Sequence, residues 1–230
     1  MKYSIIICCY EEEPIIEASW NRLKDVLPED CEVIFVNDGS TDKTGEILYK
    51  IAETENINII NYSENKGYGH ALKCGLSSVL GDYIITLDCD LAMEPKDIFE
   101  KCKQNESDLI IFSRYAGIKP DYPLIRRIAS WGYRKMNQFL FKIKIEDTQS
   151  GFLCIKREVL KDIKLECDDF SILMELIVKA TRKNIRWQEV GLKFIHDTTS
   201  GQTSIFKSGP KMLKNSIRLW KALKQFHIKR

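Results

Sequence analysis

Only three histidines occur in the 230 residues, and none of the eight cysteines stands in a C-x-x-C pair. This scarcity leaves neither zinc-site spacing nor a disulfide framework, so Cys8, Cys9, Cys31, Cys74, Cys89, Cys102, Cys154 and Cys167 read as reduced and mostly buried. No apolar run approaches the roughly 18 residues that a membrane span needs. Met1-Lys2-Tyr3-Ser4 leads into a short apolar run without a small-residue cleavage site, and a cytosolic chain is expected. The phosphate loop G-x-x-x-x-G-K-[ST] is missing, as is G-x-G-x-x-G after the first strand. Those two absences weigh against ATP hydrolysis and against a nicotinamide cofactor. Acids are missing from residues 198–230, which hold eight Lys or Arg, leaving 27 bases against 33 acids and a net of −6 for residues 1–197. A basic tail on an acidic body points to an anionic surface as partner.

What is present is an alternation of strand and helix. Tyr3 to Cys8, Cys31 to Val36, Ile57 to Tyr62, Asp82 to Leu87 and Asp108 to Phe112 read as strands. Helices are expected from Pro14 to Leu27, Thr44 to Glu55, His70 to Leu80 and Pro95 to Asn105. Such alternation implies an α/β fold with a doubly wound, mostly parallel sheet. After Ser113 come a helical stretch at Pro123 to Phe141, a run through Ile155, a helix near Asp168 to Lys183 and a strand near Trp187 to Ile195. A final amphipathic helix is expected from Pro210 to Phe226, with Leu213, Ile217, Trp220 and Leu223 on one side.

The stretch Tyr83 to Pro95, YIITLDCDLAMEP, is the centre of the pattern. Read as a strand that runs into Asp88-Cys89-Asp90, its alternation turns both carboxylates the same way. At the carboxyl edge of an open α/β sheet they could face one divalent cation; oxygen-only ligands favour Mg2+ or Mn2+. Four loops should converge there: Cys9 to Glu13, Asn37 to Asp42, Ser63 to Gly69 and Asp88 to Ala92. Gly67 and Gly69 let backbone approach a ligand, and the helix that follows offers N–H groups to an anion. Asp38 either caps the Thr44 helix or meets the ligand.

Taken together the motifs resemble the family 2 glycosyltransferases, and within them the polyprenyl-phosphate (dolichol-phosphate) mannose or glucose synthases. The resemblance rests on Tyr10 with Glu12, Asp38-Gly39-Ser40 with Asp42 and Thr44, Asn65-x-Gly67-x-Gly69-x-Ala71 and Asp88-x-Asp90-Leu91. It continues through Ser113-Arg114-Tyr115, Asp147-x-x-Ser150-Gly151-Phe152 and Phe170 with Glu175-Leu176. The order and spacing carry it, not any single motif. Departures are Cys8 and Glu11 where relatives have Pro and Asn, and Ala92 where D-x-D-L-Q has Gln. The late R-x-x-G-x-S-K survives only as Thr198-x-x-Gly201-x-Thr203-Ser204, without its bases.

The resemblance implies a glycosyltransferase A-type fold over residues 1–197, with a nucleotide-sugar half at about 1–113, an acceptor half at about 114–197, and a basic tail at 198–230. It implies a donor whose base and ribose meet the Tyr10 to Glu12 loop and Asp38, and whose diphosphate meets a metal at Asp88 and Asp90. The expected reaction is inverting transfer of a hexose, from a GDP-mannose or UDP-glucose type donor, to a polyprenyl phosphate at the cytoplasmic face of a membrane. Arg114 and Arg127 would hold the acceptor phosphate, since guanidinium geometry suits phosphate oxygens. The alternatives are a protein or glycan hydroxyl as acceptor, with Asp147 as general base, or a non-catalytic nucleotide-sugar-binding protein. Tolerance of Asp147→Asn would mark the phosphate acceptor. Membrane attachment falls to the tail helix, with Pro123 to Phe141 beside it, or to an anchoring partner protein; nucleic acid is not an expected partner.

Overall fold

Alternation along the first strand decides how the sheet is covered. In β1 (Tyr3–Cys9), Ile5, Ile7 and Cys9 point into one layer with Val33, Phe35, Ile85 and Leu87. Ile6 points into the other, with Ile34, Val36 and Ile84. A strand that is apolar on both sides has to be covered by helices on both, the setting of a parallel sheet. The computed structural model describes residues 2–117, 123–194 and 205–228. After β1 come α1 (Ile16–Lys24), β2 (Cys31–Asp38), α2 (Thr44–Ala52), β3 (Ile57–Tyr62), α3 (Tyr68–Ser78), β4 (Tyr83–Asp88), α4 (Pro95–Gln104) and β5 (Leu109–Ser113). The chain continues through α5 (Leu124–Phe141), β6 (Leu153–Lys156), α6 (Arg157–Leu160), α7 (Ser171–Thr181), β7 (Trp187–Gly191) and α8 (Ile205–Ile228).

The strands lie in the order β3-β2-β1-β4-β6-β5-β7. β6 runs antiparallel to β4 and β5, and the remaining pairs are parallel, which is the doubly wound, mostly parallel sheet that the sequence implies. The order reverses between β1 and β4, where Cys8 lies opposite Asp88. Connections leaving in opposite directions open a crevice at the carboxyl ends of these two strands. That crevice is where Asp88 ends its strand.

Three elements differ from expectation. β4 stops at Asp88 rather than continuing to Asp90. Leu91 takes a φ of 46° and its N–H returns to the Asp88 carbonyl at 3.0 Å. A tight turn, not strand alternation, therefore carries Asp90. Pro14 precedes α1 instead of opening it, because the N–H groups of Ile15 and Ile16 share the Glu12 carbonyl in a turn before the helix. α8 starts at Ile205 and runs through Pro210, which forfeits its own backbone hydrogen bond inside the helix.

The expected stripe on α8 is divided. Trp220 and Leu223 lie with Leu219 against Phe141, Met174 and Val178, whereas Leu213 and Ile217 stay exposed. The helix is thus docked on α5 and α7 rather than presenting all four residues outward. α5 does the reverse, turning Leu124, Ile125, Ile128 and Trp131 out, each more than half exposed. The Thr198 to Ser204 motif and His196 lie outside the described residues.

Candidate active site

Side chains of one loop hold the backbone of the next. Glu11, at a left-handed φ of 56°, accepts from Thr41 N and Oγ1 at 2.8 and 2.9 Å. Glu12 N donates to Thr44 Oγ1 at 2.8 Å, and Glu13 N to Asp42 Oδ2 at 3.0 Å. The first two loops are one unit. Asp42, not Asp38, holds the start of α2, by accepting Thr44 N at 3.0 Å. The buried carboxylate of Asp38 accepts instead from Lys66 N and Gly67 N, at 2.8 and 2.9 Å, and so anchors the third loop. Tyr10 stands at the rim, about half exposed.

Gly67 has a φ of 96°, and a Cβ there would stand 2.4 Å from the Asp168 carbonyl oxygen. A Cβ on Gly69 would stand 2.5 Å from that of Cys167, and Gly69 N donates to Asp168 O at 2.9 Å. The N–H groups of His70 and Ala71 turn back to the Gly67 carbonyl. The two glycines therefore admit another segment of the chain, and this helix start offers fewer open N–H groups to an anion than the sequence suggests.

Glycine is also required beside Asp88. A Cβ at Gly151 would meet the Asp88 carboxylate at 2.2 Å, and the Gly151 carbonyl is fixed by Thr86 Oγ1 at 2.6 Å. The Asp88 carboxylate thus rests on bare backbone. Asp90 Oδ1 accepts Ala92 N at 3.1 Å within the turn. Burial and then the Asp90 charge push Asp88 up to about 7, with Arg114 pulling it back and Asp147 pushing it further. Burial, then Asp90, Asp88 and Asp42, push Glu12 up to about 7 as well. Two carboxyls pushed up in this way beside the Asp90 charge are what a bound cation would relieve. Among the described residues no cluster of three or more His, Cys, Asp or Glu is arranged as a complete cage. An ion such as Mg2+ needs one or two carboxylates and completes its shell with phosphate oxygens and water.

Arg114 and Asp147, assigned separate tasks from sequence, form one pair. Arg114 Nε and Nη2 donate to Asp147 Oδ2 and Oδ1 at 2.8 and 2.7 Å, and the Arg114 backbone N–H adds 3.1 Å. Asp147 is 1% exposed and also accepts Gln149 N at 3.2 Å. A carboxylate so committed has little lone-pair capacity left for a general base. Ser113 Oγ accepts Tyr115 N and Ala116 N, both at 3.1 Å, while Tyr115 Oη meets Ser130 Oγ at 2.5 Å, which ties the Arg114 turn to α5. Arg127 lies on that helix, exposed, one turn from Ser130.

A model of the family described as Glycosyl transferase family 2 matches residues 4–164. The chain belongs to glycosyltransferase family 2. It is 31% identical over 186 residues to the dolichol-phosphate mannosyltransferase of Pyrococcus furiosus, covering 78% of this chain and 53% of that protein. It is 30% identical over 172 residues to the bactoprenol glucosyl transferase of Shigella phage SfX, covering 72% and 55%. The chain spans about half the length of these curated relatives. Glucosyl-3-phosphoglycerate synthase from Mycobacterium tuberculosis, solved with Mn2+, UDP and glucosyl-3-phosphoglycerate, aligns at a TM-score of 0.71 and 16% identity, over 95% of this chain and 78% of that one. The fold is thus that of known glycosyltransferases.

The structure brings Glu12, Asp38, Asp88 and Asp90 to one crevice, with Arg114 and Asp147 beside it. Sequence reading had no role for Gly151 as the seat of Asp88, although the residue lies inside a motif of the family 2 resemblance. It also missed Glu166 to Phe170 as the segment that closes on Gly67 and Gly69. Phe170, stacked on Tyr68 at 4.7 Å, was the visible signal.

Proposed function

We propose that this family 2 chain transfers a hexose from a GDP- or UDP-sugar to a polyprenyl phosphate, with inversion, at a membrane surface. The observation that carries the reading is the Asp88 carboxylate seated on Gly151 at the switch point, with Asp90 and Glu12 as like-charged neighbours. Asp88 and Asp90 would hold Mg2+ or Mn2+, which supplies positive charge to a leaving diphosphate. The loop tied together by Glu11, Glu13 and Asp42 presents Tyr10 and Glu12 to the nucleoside. Asp38 fixes Lys66 and Gly67 behind it. Asp147 holds the Arg114 guanidinium in a set orientation next to Asp88, where its charge offsets the carboxylates. Arg127, on α5, faces an incoming anion. A phosphate acceptor is already ionised near neutral pH and needs orientation more than a base, consistent with the commitment of Asp147.

The acceptor class also suits α5. Leu124, Ile128 and Trp131 fall about one turn apart on one side of the helix with Ile125 beside them; Arg127 borders that side and Lys135 continues it, while Arg134 is turned in toward Glu146 and Tyr115. Apolar residues flanked by bases form the pattern of a helix lying in the headgroup plane. Among the described residues no helix is long and apolar enough to cross a membrane; in this reading α5 meets the membrane surface at the face where the donor is supplied, alone or together with an anchoring partner. The test is transfer from labelled GDP-mannose and UDP-glucose with Mn2+, to polyprenyl phosphate or to the matching polyprenol in vesicles. Product on the phosphate alone supports the reading; product on the alcohol favours a hydroxyl acceptor; no transfer from either donor returns the chain to a binding role. Asp147→Asn does not separate these, because loss of the Arg114 partner costs activity with either acceptor.

A further inference from the structure

The segment Glu166 to Phe170 lies between the donor loop and α8, held by backbone contacts on one side and side chains on the others. On one side it meets Gly67 and Gly69, as above, and Lys73 Nζ binds Asp168 Oδ1 at 2.6 Å. Beneath it the Glu175 carboxylate accepts Glu166 N at 3.0 Å and Cys167 N at 2.9 Å, and is paired with Lys179 at 2.6 Å. From the other side α8 reaches in. Asn215 Nδ2 donates to Asp169 Oδ2 at 3.0 Å and Oδ1 at 3.2 Å, and to Ser171 Oγ at 3.2 Å. Lys211 Nζ lies 3.3 Å from Asp169 Oδ2, and Arg218 Nη2 contacts Cys167 Sγ at 3.6 Å. Asn215 and Ser216 are buried, although both are polar, while the apolar Leu213 and Ile217 of the same helix are exposed. Ser216 Oγ meets Tyr133 Oη of α5 at 3.0 Å, so the same turn of α8 also touches the acceptor-side helix.

A helix needing only to dock would bury Leu219, Trp220 and Leu223, which suffices for adhesion. A buried amide aimed at a loop carboxylate adds direction instead, since polar pairs in a dry seam fix geometry at a cost if either partner is lost. The donor loop has Asp38 on one side and the Asp168 carbonyl on the other; only the second wall depends on α8. We infer that Asn215 is a positioning residue for the donor, holding Asp169 so that Asp168 stays closed on Gly67 and Gly69. This rests on the donor-site reading above. Loosening the wall lowers the fraction of molecules with a competent loop, and apparent affinity falls by that fraction.

The test is calorimetric titration of the full chain with GDP and UDP in the presence of Mn2+, at a temperature where the variants remain folded. Asn215→Ala should weaken nucleotide binding about tenfold, the scale of one hydrogen bond to a charged partner, and raise donor KM with kcat held. Exchanging the pair, Asn215→Asp with Asp169→Asn, should restore most of the affinity. Lys211→Ala, an exposed partner, should change it little. If Asn215→Ala does not fold, Asn215→Ser carries the same expectation. A folded Asn215 variant with wild-type affinity and only a lower Tm overturns the inference alone. A wild-type chain that binds neither nucleotide overturns it together with the donor-site reading.

Discussion

The crevice at the ends of β1 and β4 and the outer face of α5 present opposite surfaces. In residues 1–113 the isoleucines and valines of β1, β2 and β4 are fully inside, and the polar side chains of the loops serve the backbone of neighbouring loops. In α5 it is Leu124, Ile125, Ile128 and Trp131 that face out, while Asn137 of the same helix is buried and donates to Thr148. The crevice gathers carboxylates whose loops are tied by backbone donors, whereas α5 turns an apolar face to solvent. The comparison teaches that exposure, not composition, divides a ligand site from a docking surface.

The most damaging way to break the donor half is to fill the seat of Asp88. Gly151→Ala places a methyl where the carboxylate sits, and a displacement of that size should cost on the order of 100-fold in metal-dependent nucleotide affinity. Titration shows whether it does; an unchanged affinity would mean that Asp88 need not occupy this position. Next in size is the effect of pH. Glu12 and Asp88 ionise only near 7, so Mn2+-dependent nucleotide binding should strengthen up to about tenfold from pH 6 to pH 8. Both carboxyls have folded values above their ordinary ones. The folded chain therefore holds protons that the unfolded chain has lost, and their contribution to stability, present at pH 4, declines as pH rises toward 7. Apo Tm should fall across that window and the Mn2+-induced rise in Tm should grow, both readable by thermal shift.

The sharper test of the contrast compares two helices. Leu219→Ala, in the seam of α8, should cost about 2–5 kcal/mol of stability and leave binding to anionic vesicles unchanged at a temperature where it is folded. Trp131→Ser with Ile128→Ser on α5 should shift stability by no more than about 0.5 kcal/mol and abolish sedimentation with vesicles. Reversed results would make α8 the lipid-facing helix.

Much of the fold was legible because the strands are short β-branched runs that end in polar turns, and the helices between them fix a parallel order. The place of the crevice followed. What could not be read is pairing across distance. Nothing local indicates that β6 inserts antiparallel between β4 and β5. Nor does it show that Arg114 and Asp147, 33 residues apart, neutralise each other. The α8 stripe was correctly periodic, yet periodicity cannot say which of two faces has a partner: Trp220 and Leu223 found Phe141 and Met174, and Leu213 did not. Asp90 was placed beside Asp88 for the wrong local reason, a strand continuing where a turn begins.

The central claim is that Asp88 and Asp90 make this crevice a metal-assisted nucleotide-diphosphate site, and one titration addresses it. GDP and UDP are titrated into the wild-type chain and into Asp90→Ala, each with Mn2+ and with chelator. The account predicts that wild-type affinity for one nucleotide rises strongly with Mn2+ and that Asp90→Ala loses the rise while remaining folded. Equal affinity and equal metal dependence in the two proteins would contradict it.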